Sequence, residues 1–242
     1  MRVRSRIAGL SIALFLFVAA PASAQVVQSL NFGVGLFAPA GFDRRASGDV
    51  LVENLITFEP LAFEIKDFRG GNFFGEWNLA FGDHVEFGVG AAFYSRSVPS
   101  VYLQVVNRLP NGQEVEIAQD LKLRIVPIAG VVRFLAGRPG SIQPYIGGGV
   151  AALNWRYSEI GDFVDTSDYS VFFDRFIADG TSAGGVFLAG VRFPIGGDIY
   201  GITTEYRHTW GSGRTGGFDA GFLADKIDLS GSQFNFGVLI RF

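Results

Sequence analysis

The sequence predicts an all-β protein: one closed antiparallel transmembrane β-barrel of eight strands, with ten as the alternative, carrying short periplasmic turns and long outer loops. Three observations predict it. Apolar and polar residues alternate with period two in segments of roughly ten residues, the length of a tilted membrane strand. Short and long connectors alternate along the chain. Glycine and phenylalanine are abundant, at 33 and 25 of 242 residues, with one methionine and no cysteine. That composition suits curved strands with aromatic belts.

At the amino terminus, Arg2, Arg4 and Arg6 precede an apolar stretch from Ile7 to Ala20 and a small-x-small site at Ala22-Ser23-Ala24. This order is that of a secretory signal peptide, and the stretch is too short to persist as a spanning helix. Residues 1–24 are therefore expected to be cleaved after Ala24, leaving 25–242 as one barrel domain in the outer membrane of a Gram-negative-type bacterium. Removing the three signal arginines from 20 basic residues leaves 17 against 23 acidic ones, a net charge of −6. Nucleic acid is an unsuitable partner for such a chain. Without cysteine, a disulfide framework is excluded as the means of holding it together.

The strands follow in order. Leu30, Phe32, Val34 and Leu36 outline the first. In the second, Phe73, Gly75, Trp77, Leu79 and Phe81 alternate with Asn72, Phe74, Glu76, Asn78 and Ala80. A tight turn at Phe81-Gly82-Asp83-His84 leads to the third, where Val85, Phe87, Val89, Ala91 and Phe93 alternate with Glu86, Gly88, Gly90, Ala92 and Tyr94. Leu121 to Phe134 and Tyr145 to Trp155 supply two more, but both parities carry apolar residues and leave the facing open. Gly185, Phe187, Ala189, Val191 and Phe193 mark the sixth. Tyr200, Ile202, Thr204 and Tyr206 oppose Gly201, Thr203, Glu205 and Arg207 in the seventh. The last strand is the clearest: Phe234, Phe236, Val238, Ile240 and Phe242 share one face, and Gln233, Asn235, Gly237, Leu239 and Arg241 the other. One parity suits lipid and the other a polar lumen.

Short turns are expected at Gly82-Asp83, Ala136 to Ile142 and Pro194 to Asp198, and long polar connectors at about 39–71, 98–120, 157–181 and 211–229. The second long connector reads as a hairpin extending the wall beyond the membrane, with Val101 to Asn107 and Glu114 to Leu121 flanking Pro110-Asn111-Gly112. The first is apolar between Leu55 and Phe63; a loop, a short helix or an extra strand pair would each account for it.

Glu76, Glu86, Arg192, Glu205, Arg207 and Arg241 fall on the lumen parity, and Arg133 joins them under one phasing. An eight-stranded barrel is just wide enough to be filled by side chains. Unpaired charges there would cost several kcal/mol each, so a plugging ion-pair network is expected. A narrow gated pore or a proton-coupled site is the competing reading.

The strand Phe234-Asn-Phe-Gly-Val-Leu-Ile-Arg-Phe242 resembles the C-terminal strand of outer-membrane barrels, which serves as their assembly signal. Gln143-Pro-Tyr-Ile-Gly-Gly-Gly-Val150 and Thr204-Glu-Tyr-Arg-His208 resemble stretches of the OmpA/OmpX-like outer-membrane barrel family. The resemblance covers the whole mature chain and implies the fold rather than a function. The peptidoglycan-binding domain of longer OmpA-like proteins is not seen after the last strand, so a direct tether to the cell wall is not expected.

Small barrels of this kind include lipid A-modifying hydrolases. His208-Thr209-Trp210 resembles the His-x-Ser signature of lipid A 3-O-deacylases, but Trp210 stands where the nucleophile belongs. His208 and Trp210 share the lipid-facing parity, so an aromatic belt accounts for both. His84 reads as a solvated turn residue, and no histidine pair has metal-ligand spacing. Asp162, Asp165 and Asp168 lack the spacing of a calcium loop. Gly147 to Gly149 lie in a strand and do not open a helix as a phosphate-binding loop would. No catalytic residue, metal or cofactor is expected.

The expected function is a non-enzymatic outer-membrane role, structural in the envelope or mediated by the outer loops, with recognition centred on Tyr157 to Phe176. A narrow passive channel for small or apolar molecules, like the OmpW-type barrels, is the alternative, and a lipid A-modifying hydrolase the third. Expected partners are outer-membrane lipid and lipopolysaccharide, the barrel-assembly machinery during biogenesis, and an external ligand at the outer loops.

Overall fold

A computed structural model of the chain describes residues 26–57, 59–165 and 167–242. The expected signal peptide lies outside the described residues.

Ten strands form: β1 (Val26–Pro39), β2 (Gly70–Phe81), β3 (Val85–Arg108), β4 (Glu114–Leu135), β5 (Gln143–Val164), β6 (Val171–Ile195), β7 (Tyr200–Trp210), β8 (Ser212–Arg214), β9 (Lys226–Asp228) and β10 (Gly231–Arg241). Eight of them close a barrel in the order β1-β10-β7-β6-β5-β4-β3-β2, each neighbour antiparallel. Because β1 pairs with both β2 and β10, the ring has no free edge to template aggregation. The two remaining strands, β8 and β9, make a short separate hairpin.

Register follows from the alternation. Phe32 pairs with Val238, Val34 with Phe236 and with Phe73, and Leu30 with Trp77. These are outward rows, and they join Phe87, Val89, Phe93, Ile128, Ile146, Val150 and Ile202 in an exposed apolar band. Such a band is what lipid-facing barrel walls require. The three turns at 82–84, 136–142 and 196–199 are short, with Gly82 in the left-handed region at φ 65°.

Two of the long connectors are strand hairpins. β3 and β4 remain paired to Arg108↔Glu114, with a register shift between Val101 and Val106. β5 and β6 remain paired to Val164↔Val171. The 98–120 hairpin therefore stands as read, whereas 157–181 is corrected from a polar connector to a strand hairpin with a tip at 165–170. Outside the membrane a paired strand needs no apolar outward face, so the period-two signal fades while the ladder continues.

The first connector resolves as a short helix α1 (Val50–Ile56) between two 3-10 turns, Phe42–Arg44 and Ile65–Phe68. Asp49 caps α1, its side chain accepting from the Val52 N–H at 3.2 Å. Val50, Leu51 and Phe68 are fully buried, so this connector closes the mouth at the long-hairpin end.

Candidate functional site

Inside the ring, residues from six strands converge. Arg133 on β4 meets Glu76 of β2, Glu86 of β3 (3.4 Å) and Glu205 of β7 (3.0 Å). It also donates to Asn78 Oδ1 at 3.0 Å. Arg192 on β6 forks onto Glu86, its Nη1 donating to Oε2 at 2.8 Å. Arg207 on β7 bridges Glu76 (2.9 Å) and Glu205 (2.8 Å). Tyr145 on β5 donates to Glu205 at 3.1 Å and lies beneath two guanidiniums, 5.5 Å from Arg133 and 5.3 Å from Arg192. Three guanidiniums thus meet three carboxylates, with side-chain exposures of 1–11%. Buried ions are tolerable only when mutually paired and hydrogen-bonded.

Arg241 does not join this cluster. It donates to Gln143 at 2.7 Å and contacts no carboxylate among the described residues. With Arg192 and Glu86 it lines a bay of about 540 Å³ at the short-turn end. Glycine makes room for the network. At Gly190 a Cβ would overlap the Thr204 carbonyl oxygen and the Tyr145 ring end, and at Gly88 it would meet Asn78 and Arg133.

Above the charges the lumen becomes neutral and then apolar. Thr203 donates to Asn31 at 3.0 Å and Asn72 to Asn235 at 3.1 Å. Next come Phe37 and Tyr94, ring centroids 4.4 Å apart, then Leu121, Leu123, Ile125, Leu153, Trp155 and Phe68, all buried. The lumen is polar in one half only. This explains why the facing of β4 and β5 is ambiguous in sequence: their inward rows pack into an apolar core while their outward rows meet lipid.

A lobe caps that core. Arg45 binds Asp49 through Nε (2.6 Å) and Nη2 (2.9 Å) and donates to the Asp228 carbonyl at 2.9 Å. Asp228 in turn accepts from the Ala46 N–H at 2.7 Å. The first and fourth connectors are latched together by this pair. Beneath them, Asn54 of α1 donates to Glu159 at 2.7 Å, and the Tyr157 hydroxyl donates to the same carboxylate oxygen at 2.8 Å. Burial pushes the Glu159 carboxyl above the usual range, and these two hydrogen bonds only partly oppose that. Tyr157 is likewise raised well above its ordinary value by burial and by the Glu159 charge. Glu159 is a buried acid without a cationic partner among the described residues, and it leaves no signal in the sequence, where 157–181 reads as a polar connector.

That stretch, Tyr157 to Phe176, divides in two. Tyr157, Glu159 and Phe163 are buried, whereas Tyr169, Phe172 and Phe173 are exposed at the hairpin tip. Asp165 accepts from Ser167, and Asp168 from the Ser170 N–H, closing the tip on itself. No cluster of three metal-ligating residues occurs among the described residues.

His208 lies on the outward parity beside Trp210, ring centroids 4.5 Å apart. Its Nδ1 is 2.9 Å from Ser232 Oγ, which the Tyr206 hydroxyl also contacts at 3.0 Å. Ser232 is the cross-strand neighbour of His208, a serine invisible to a search two residues along the chain. No carboxylate hydrogen-bonds the other ring nitrogen among the described residues, so the orienting acid of a hydrolytic triad is missing. His84 is exposed, with Nδ1 3.0 Å from the Leu135 carbonyl; it ties its turn to β4. Phe234, Phe236, Val238 and Phe242 are exposed on the outward face, and Ile240 is half-buried there.

Neither a family model nor a curated protein matches the sequence. Among solved structures, the outer membrane protein OprG of Pseudomonas aeruginosa aligns with a TM-score of 0.53 at 13% identity, covering 89% of this chain and 95% of that one. The fold is that of a small outer-membrane β-barrel. Neisserial surface protein A aligns at a TM-score of 0.45 and 13% identity, covering 90% of this chain and 96% of that one. The N-terminal barrel domain of Pseudomonas aeruginosa OprF aligns at 0.39 and 12%, covering 90% and 97%. The likeness to OprG speaks to fold alone, so function must be argued from the residues.

Proposed function

We propose that this chain is a non-enzymatic outer-membrane barrel with a sealed lumen, and that it acts through the lobe on its long hairpins. The observation that carries this reading is the lumen filling: a balanced cluster of three guanidiniums and three carboxylates with an apolar plug stacked on it. A solute crossing the barrel would have to separate ion pairs in low dielectric and also displace Phe68 and its neighbours. Exposed aromatics on a rigid, latched scaffold make the tip the surface available to an external partner. In the same reading, Phe234, Phe236, Val238, Ile240 and Phe242 are the signal for the assembly machinery, and outer-membrane lipid surrounds the apolar band.

The purified protein in planar bilayers should give no stable conductance; large steady channels would sink the sealed-lumen reading and favour the passive conduit. Phe172→Ser with Phe173→Ser should leave heat-modifiable gel migration unchanged while lowering the partition of expressing cells into hexadecane. Unchanged partition would show that the tip is not displayed.

A further inference from the structure

One feature of the outward face is electrostatically incomplete. On β4 the outward row runs Phe134, Val132, Gly130, Ile128, Val126 and then Arg124 and Lys122; on β5 it ends in Val150, Ala152, Asn154 and Arg156. The register sets Arg124 directly opposite Arg156. Such neighbours stand about 4.5–5.5 Å apart at Cβ, and like charges there repel. Neither guanidinium has a carboxylate within 4.0 Å among the described residues. Arg124 Nε is buried without a hydrogen-bond partner. Asp179 on β6 is the direct cross-strand partner of Arg156 but makes no ion pair with it, and Asp120 lies one outward position beyond Lys122. Three cations therefore gather at the rim where the apolar band ends, directly above the exposed side chains of Ile128 and Val150.

We propose that Arg124 and Arg156, with Lys122 beside them, bind the phosphate of a membrane lipid whose acyl chains lie along this band. Two guanidinium forks supply the donors that a phosphate accepts bidentately, and the anion relieves the repulsion between them. Continuity with the apolar band selects a lipid over a free anion. The inference rests on the membrane placement proposed above and adds to it a headgroup chemistry and its residues.

The test uses the full-length protein folded in dodecyl maltoside, with retention read by native mass spectrometry against phosphatidic acid, dioleoylglycerol and inorganic phosphate. A parallel arm measures insertion into phosphatidylcholine vesicles with and without phosphatidic acid. The wild type should retain phosphatidic acid at least about tenfold more tightly than Arg124→Gln/Arg156→Gln, a difference of about 1.4 kcal/mol. Dioleoylglycerol should not be retained, and inorganic phosphate should not displace the lipid. If the glutamine variant does not fold, Arg124→Lys/Arg156→Lys, which keeps charge but loses the forks, should show a smaller loss of the same sign. Equal retention by wild type and a folded variant overturns the site alone. Displacement by inorganic phosphate overturns its assignment to lipid. Failure to insert into either vesicle overturns the membrane placement, and the site with it.

Discussion

Replacing Arg133 with methionine removes the guanidinium that touches all three lumen carboxylates. The cluster then falls from charge balance to a net −1, and Asn78 Oδ1 loses its donor. Removing one partner of a buried pair costs about 3–5 kcal/mol. Here each carboxylate keeps a cation, Glu86 through Arg192 and both Glu76 and Glu205 through Arg207. The loss is therefore expected near the lower bound, about 3 kcal/mol. Urea titration in micelles, followed by heat-modifiable migration, measures it. Adding Glu205→Gln restores the balance of two guanidiniums to two carboxylates and should recover about half of the loss, a coupling that the double-mutant cycle isolates. A loss below about 1 kcal/mol, the scale of an exposed ion pair, would refute the view that these charges are buried and interdependent.

Three further outcomes follow from local geometry. Gly190→Ala, whose Cβ would overlap the Thr204 backbone and Tyr145, should cost about 1–3 kcal/mol by overpacking in the same titration; a neutral result would mean that β6 and β7 stand further apart than described. The Glu159 carboxyl holds its proton to higher pH than it would in the unfolded chain, so lobe stability falls as pH rises from the unfolded carboxylate value through the raised folded one. Glu159→Gln should flatten that fall in hydrogen exchange of α1 amides, and equal slopes would clear Glu159 as its source. His208→Ala should leave the lipid A of expressing cells unchanged by mass spectrometry; a change of acylation abolished by this variant would make the His208–Ser232 contact catalytic.

The sequence made the barrel legible wherever one face meets lipid and the other meets polar groups. β2, the membrane half of β3, β7 and β10 satisfy that condition, so the lumen parity of Glu76, Glu86, Glu205 and Arg207 could be read directly. Arg133 could be placed only under one phasing because Val131 and Leu135 beside it also face inward. The apolar plug was hidden for the same reason, since Leu121, Leu123, Ile125 and Trp155 erase the alternation on β4 and β5. Contacts between strands distant in sequence, such as Ser232 with His208 or Asn54 with Glu159, leave no periodic trace at all. Arg124 opposite Arg156 likewise emerges only from the register.

The lumen cluster also bears on how the barrel is made. Its carboxylates come from β2, β3 and β7 and its guanidiniums from β4, β6 and β7, and Glu76 reaches Arg207 only when β1 and β10 have joined the two ends of the sheet. A half-wound sheet would present Glu76 and Arg207 to hydrocarbon without each other. The Glu205–Arg207 pair lies within β7 and the Glu86–Arg133 pair spans neighbouring strands, so both can form early; closure of the seam is what brings Glu76 to Arg207 and completes the pairing.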